Sequence, residues 1–226
     1  MLGSWVRAPG GSQKSKVIVT AITFCCIIFM WFQRIYYDYR QLKDILPLAE
    51  SQVVDLYASL SGQRLVDLLI VAEDHRNRFH IGVDVIAIGR ALFRGMTSSA
   101  REGASTIEQQ LVRVVTGDYR HSVARKLKEI LLAISIRMQY DRRILALIYL
   151  DMAYYGTLYQ SLDAILDKFG LKRCDDIDLP TCASIVARLK YPEPRMSSDR
   201  RFSQIKSRSN HILRLYLLSK KHNRSL

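Results

Sequence analysis

The sequence is poor in proline and cysteine, with five and four respectively in 226 residues. No proline lies between Ser51 and Leu179, so nothing in that stretch forces a helix to break. Cys25 and Cys26 are adjacent inside an apolar run, which leaves only Cys174 and Cys182 able to meet. That excludes a disulfide framework, leaves the pairing of those two open, and no Cys/His spacing suits zinc. Long alternating strand patterns, internal repeats and low-complexity segments are all missing. Acid is scarce as well: 21 Asp and Glu stand against 34 Lys and Arg, a net charge of +13. Such an excess favours a polyanionic partner, whether nucleic acid, an acidic membrane surface or a phosphorylated ligand. Nucleic acid is the poorest fit, because no helix-turn-helix or RNA-binding signature is present and the only aromatic-rich basic stretch is Trp31 to Arg40.

What is present begins with an anchor. Val17 to Phe32 carries no charge and spans roughly 24 Å as a helix, just short of a bilayer core, so Gln33 to Tyr37 must complete it. Trp31, Tyr36 and Tyr37 suit the headgroup level. No small-x-small cleavage site follows, which favours an uncleaved anchor over a signal peptide. Basic residues flank the run equally closely on both sides, so its orientation is undecided by charge. The expected layout is a basic tail over 1–16, a single transmembrane anchor over 17–37, one domain over 45–216 and a short basic tail over 217–226.

Beyond about Leu46 the chain reads as helix. Leu65, Leu68, Leu69 and Ala72 repeat at helical spacing, as do Leu127, Ile130, Leu131 and Ile134. Gly82, Gly89, Gly95, Gly103, Gly117, Gly156 and Gly170 are the expected punctuation. Three segments carry chemistry. Glu73 stands four residues after Leu69, at the edge of the apolar stripe, where partial desolvation suits a general base. Ser105 and Glu108 have capping-box spacing after Gly103, and a helix opening there would offer N–H groups to a phosphate. Gln109 and Arg113 would share a face of that helix. Arg125 and Lys126 stand four and three residues before Glu129, so two cations and a carboxylate cluster beside an apolar stripe. Alone, each segment reads equally well as a structural ion pair or a capped helix.

Their conjunction is more specific. Glu73, Asp74, His80 and Gly82 fit Glu-Asp-x-x-Phe-x-x-His-x-Gly. Gly103, Ser105, Thr106, Gln109 and Gln110 meet Gly-x-Ser-Thr-x-x-Gln-Gln, and Arg125, Lys126, Glu129 and Ala133 meet Arg-Lys-x-x-Glu-x-x-x-Ala. In this order the motifs resemble glycosyltransferase family 51, the peptidoglycan transglycosylase module, and specifically its monofunctional membrane-anchored members. The likeness continues weakly through Tyr140, Tyr149-Leu150 and Tyr154-Tyr155-Gly156 and runs from about Leu65 to Leu215.

The resemblance implies a mainly α-helical, lysozyme-like domain with Glu73 and Glu129 across a cleft, a smaller membrane-facing lobe, and a flexible cleft wall over Phe93 to Gly103. It implies an enzyme that polymerises lipid II, transferring a growing polyprenyl-diphosphate glycan to the acceptor 4-hydroxyl with inversion. Glu73 and Glu129 would be catalytic. Asp74, His80, Ser105, Thr106, Gln109, Gln110, Arg113, Arg125 and Lys126 would bind substrate, and a divalent cation, Mg2+ or Mn2+, would sit at Glu129. The family's anchor places the domain on the periplasmic side of the bacterial inner membrane. With about ten residues after Tyr216, cross-linking is expected to fall to separate enzymes. Five positions depart from the pattern: Asn77 stands for Phe, with Phe79 near enough to fill the space, Val114 for Asn, Arg137 for an acid, Leu147 for Glu and Asp151 for Asn. They leave a second expectation open, a catalytically weak or inactive member that binds lipid-linked precursor.

Overall fold

The apolar stripes read from the sequence become the core. Leu65, Leu68 and Leu69 are fully buried, each contributing roughly 1.5–3 kcal/mol relative to exposure. The computed structural model describes residues 13–97 and 105–224, and among these it is helical with no strand. The fold class is the mainly α, lysozyme-like one. Two compact units make up the chain, residues 1–40 and residues 41–226.

Helix α1, Gln13–Ala58, runs through both, with Pro47 inside it. In the first unit, Val17, Phe24, Phe29 and Phe32 are exposed. Among the described residues α1 is the helix long and apolar enough to cross a membrane. In the second unit, Leu42, Leu46, Ala49, Val53 and Leu56 recur every three or four residues and are buried. The elements that follow are α2 Leu60–Glu73, a 3-10 turn Asn77–Phe79, α3 Val85–Thr97, α4 Ile107–Thr116, α5 Val123–Arg137, α6 Arg142–Met152, α7 Leu162–Lys168, α8 Leu179–Lys190 and α9 Asp199–Arg224. Side-chain oxygens of Ser59, Ser122, Asp141, Ser161 and Asp178 cap α2, α5, α6, α7 and α8, each contributing roughly 1 kcal/mol.

Helix α2 lies against α6, α8 and α9, while α4 lies against α5 and α6. Thus α6 joins the helix that ends in Glu73 to α4, which carries the second motif and packs in turn on α5. Every residue of α6 from Ile144 to Asp151 is buried, as a central helix requires. On α2, Asp67 ties three helices, accepting from Arg143 of α6 at 2.9 Å and Lys220 of α9 at 3.2 Å.

Several expectations are corrected. Gly89 and Gly95 lie inside α3 rather than at a break. The proposed cleft wall enters α3 as far as Thr97, and its remainder, with Gly103, lies outside the described residues. Phe79 is 69% exposed and does not replace the missing Phe; buried Asn77 instead donates to Asp74 Oδ2 at 3.3 Å. The cysteines are free, Cys174 exposed and Cys182 buried.

The turn between α4 and α5 is held by a buried ion pair, Lys128 Nζ to Asp118 Oδ2 at 2.9 Å. Arg120 and Lys128 hold the Asp118 carboxyl far below the usual range, so this stabilisation is present above pH 3.8 and is lost as acid protonates it. Asp118→Asn removes the carboxylate that pairs with buried Lys128 and with Arg120, and we expect a loss of about 3 kcal/mol in denaturant unfolding at pH 7.

Candidate active site

The three motifs meet through backbone geometry before any side chain reaches a substrate. Asp74 follows the last residue of α2, and its Oδ2 accepts the N–H of Ile107, the first residue of α4, at 3.2 Å. Thr106 caps α4 by accepting from Gln109 N at 3.3 Å, and its hydroxyl donates to Gly82 O at 2.8 Å. Gly82 has φ +99°, and a Cβ there would lie 2.6 Å from the carbonyl oxygen of Ala133 on α5. Only glycine allows both that conformation and that approach. His80 completes the junction: its Nε2 lies 3.0 Å from Asp74 Oδ1, and Nδ1 accepts from Gly82 N at 3.2 Å, which places the proton on Nε2. Burial works against charging His80, yet the hydrogen bond to Asp74 and the charges of the surrounding carboxylates together outweigh it, and the pKa stands above 6.5. The polar atoms of Asp74, His80 and Thr106 are therefore committed inside the protein.

This geometry corrects the capping-box reading. The cap is Thr106, one residue later than expected, so Glu108 is not at the capping-box position. Asp74 and Thr106 occupy the N–H groups of Ile107 and Gln109, and the helix end is not an open phosphate cradle. Ser105 is released for another task.

That task is at Glu129. Its buried carboxylate accepts a two-pronged guanidinium from Arg113, Nε and Nη2 each at 3.1 Å. Arg125 Nη1 also donates to it, and Lys126 Nζ lies 2.5 Å from Oε1. Lys126 further reaches Ser105 Oγ at 2.9 Å and Gln109 Oε1 at 2.6 Å. Thus Ser105, Gln109, Arg113, Arg125, Lys126 and Glu129 converge, three cations on one carboxylate. Burial alone would raise the Glu129 pKa, but the hydrogen bonds from Arg113 and Lys126 bring it below its ordinary value. Lys126 moves down, through burial and the charges of Arg113 and Arg125. Gln109 Nε2 and Arg125 Nε are buried donors with no acceptor among the described residues.

A divalent cation does not fit these residues by themselves. Glu129 is the one anionic donor there, its oxygens already turned to three cations that would repel a metal. Asp74, His80 and Glu108 place ligand atoms within 4.8 Å of one another, but the His80 Nε2 proton is held by Asp74.

Glu73 ends α2 and is partly exposed, at 21% of its side chain. Arg208 of α9 donates to its Oε1 at 3.0 Å and to the Ala72 carbonyl at 2.8 Å. A small cavity of about 40 Å³ is lined by Glu73, Asp74, Arg76, Asp84, Ser105 and Thr106 among others. Ser105 therefore links the surroundings of Glu73 to the Glu129 cluster. Gln110 lies outside that cluster, accepting from Tyr149 OH of α6 at 2.7 Å.

The transglycosylase family model matches residues 44–216. The chain belongs to the transglycosylase family. It is 33% identical over 151 residues to penicillin-binding protein 1A of Vibrio cholerae, covering 66% of this chain and 18% of that protein. It is 32% identical over 132 residues to the monofunctional glycosyltransferase of Staphylococcus saprophyticus, covering 58% and 47%. Penicillin-binding protein 1F of Bacillus subtilis is 30% identical over 127 residues, covering 56% and 18%. The chain thus spans about a fifth of the penicillin-binding proteins and about half of the monofunctional relative.

Two features of this transglycosylase domain escaped the sequence. Arg208 is 135 positions from Glu73, in a basic stretch that reads as solvated. Glu108 is fully buried, with no hydrogen bond to either oxygen among the described residues and Arg137 Nε 4.0 Å away. Burial pushes its carboxyl above 4.5, so the favourable, protonated state is complete below pH 4.5 and is lost as pH rises through the folded value. Glu108→Gln should therefore stabilise the domain by about 1 kcal/mol at pH 7, with the gain shrinking toward pH 4. Thermal unfolding at both values checks the sign; an equal gain at both would contradict it.

Proposed function

We propose that the chain is a peptidoglycan glycosyltransferase that polymerises lipid II. The observation that carries the reading is the convergence of Arg113, Arg125 and Lys126 on Glu129, with donors of Gln109 and Arg125 left over. Such a cluster is built to meet the charge of a diphosphate as it leaves a sugar. A membrane-embedded polyprenyl donor also accords with the apolar run of α1, which we assign as a single-pass anchor in the inner membrane with the domain on the periplasmic side.

In this reading the acceptor's 4-hydroxyl oxygen attacks the donor's anomeric carbon from the face opposite the diphosphate. Glu73 takes the hydroxyl proton as the new C–O bond forms, a general-base contribution of roughly 100-fold to 10,000-fold. The bond to the diphosphate breaks with its electron pair, and Arg113, Arg125 and Lys126 neutralise the leaving oxygens. Ser105 and Gln109 hold Lys126 in place, and Glu129 keeps the cations together until the substrate takes them over. No step is assigned to a metal ion.

One observation favours a second reading, in which the chain binds lipid-linked precursor without turning it over: Arg208 holds Glu73, the group that must accept the proton. Polymerisation and binding of lipid II measured side by side separate the two, since tight binding with no polymer supports the second. Under the first, Glu73→Gln lowers the polymerisation rate at least about 100-fold while lipid II binding is retained. A wild-type rate in that variant removes Glu73 as the base. Glu129→Gln is expected to lose about 100-fold in turnover as well, and full activity would remove the donor-site role.

A further inference from the structure

Arg208 has a second neighbourhood besides Glu73. On its other side is a cavity of about 450 Å³ lined by Lys190 and Tyr191 at the end of α8 and by Ser203, Gln204, Ser207, Arg208 and His211 of α9. The α9 residues recur at helical spacing and so share one face turned toward the end of α8. The lining offers cations, hydroxyls and an amide, and no carboxylate. Burial first, and then the charges of Arg208, Arg214 and Lys190, push the His211 imidazole below its ordinary value. Arg208 Nε is a further buried donor without an acceptor among the described residues.

We propose that this cavity is an oxyanion subsite for the acceptor and that Arg208, shared between it and Glu73, couples acceptor binding to release of the base. The inference rests on the proposed function, because it takes the acceptor hydroxyl to be at Glu73. In a lipid-linked disaccharide acceptor, the stem-peptide carboxylates and the diphosphate both follow the reacting sugar. An oxyanion from either source entering between Lys190 and Arg208 competes with Glu73 for the guanidinium. A planar guanidinium with several donors can turn from one carboxylate to another anion without losing its charge-assisted bonds. Glu73 then has its lone pairs free for the acceptor hydroxyl. Arg208 is thus a positioning residue, and the arrangement that would otherwise idle the base makes it respond to substrate.

The test uses the full chain in detergent, titrated by calorimetry with N-acetylmuramyl-pentapeptide and separately with inorganic pyrophosphate, against Lys190→Gln/His211→Gln. Both substituted residues are exposed, so the core is spared. We expect one probe to bind the double variant about tenfold more weakly, the scale of one lost charge-assisted hydrogen bond. The muramyl peptide losing affinity identifies the peptide carboxylates, and pyrophosphate doing so identifies the diphosphate. Pyrophosphate also meets the cations around Glu129, and only the difference between the two proteins counts. In steady state, Lys190→Gln should raise the acceptor KM about tenfold with kcat nearly unchanged, whereas Arg208→Gln lowers kcat and Arg208→Lys restores part of it. Identical titrations and an unchanged acceptor KM in the variants overturn the subsite. A wild-type protein that binds the probes as expected but forms no polymer overturns the proposed reaction and leaves the subsite standing.

Discussion

Three cations cannot share a partly buried space without a reason. At an effective dielectric of about 20, two unit charges 4 Å apart repel by roughly 4 kcal/mol, so Arg113, Arg125 and Lys126 would separate if nothing held them. Glu129 holds them, from a helix whose next turns, Leu132, Ala133 and Ile136, are anchored in the core. The carboxylate's first task is thus assembly. Its second follows from the first: an anion richer in oxygens than a carboxylate, such as a diphosphate, can draw the same cations while gaining the donors that Glu129 leaves unused. The Lys126 pKa is lowered first by burial and then by the charges of Arg113 and Arg125, and such a ligand would relieve the second of these.

The remaining conserved-looking spacing serves the placement of that cluster. Asp74 meets the first turn of α4, Thr106 meets Gly82, and Gly82 touches the backbone of α5. One junction therefore sets α4, which carries Gln109 and Arg113, against α5, which carries Arg125, Lys126 and Glu129. The side chains that the resemblance assigned to substrate binding in the first motif, Asp74 and His80, are its fasteners. Glu73, partly exposed at the end of α2, is held instead by Arg208 of α9.

This division explains what the sequence could and could not disclose. Helices and apolar stripes were legible because periodicity reports one face at a time, and the pairing of Arg125 and Lys126 with Glu129 followed from spacing along one helix. The cap of α4 was misplaced by one residue because Ser105 and Thr106 are equally good caps locally, and the choice is made by Gly82 and Asp74 from elsewhere in the chain. Arg208 could not be read at all, since its partner lies 135 positions away and its neighbourhood looks like a solvated basic helix. Phe79 failed as a substitute for the missing aromatic because the short turn over Asn77–Phe79 directs it to solvent and keeps Asn77 inside.

The departures from the family pattern have mostly local answers, and their location matters. Asn77 is tied to Asp74, and Arg137 donates to the Tyr140 carbonyl at 2.9 Å while facing Glu108. Leu147 is apolar and fully buried, and Asp151 is paired with Arg173. Nothing in the structure accounts for Val114. None of the four explained positions belongs to the group that converges on Glu129, and among the described residues none is hydrogen-bonded or ion-paired to Glu73. They alter the scaffold behind the cluster, where an ion pair or an apolar contact can be exchanged for another of similar worth. Under the proposed function Glu73 and the cations around Glu129 have no such freedom, because a substrate of fixed charge must find them in place. A chain under relaxed demand would be expected to lose the costly part first, the three mutually repelling cations, and here that part is intact.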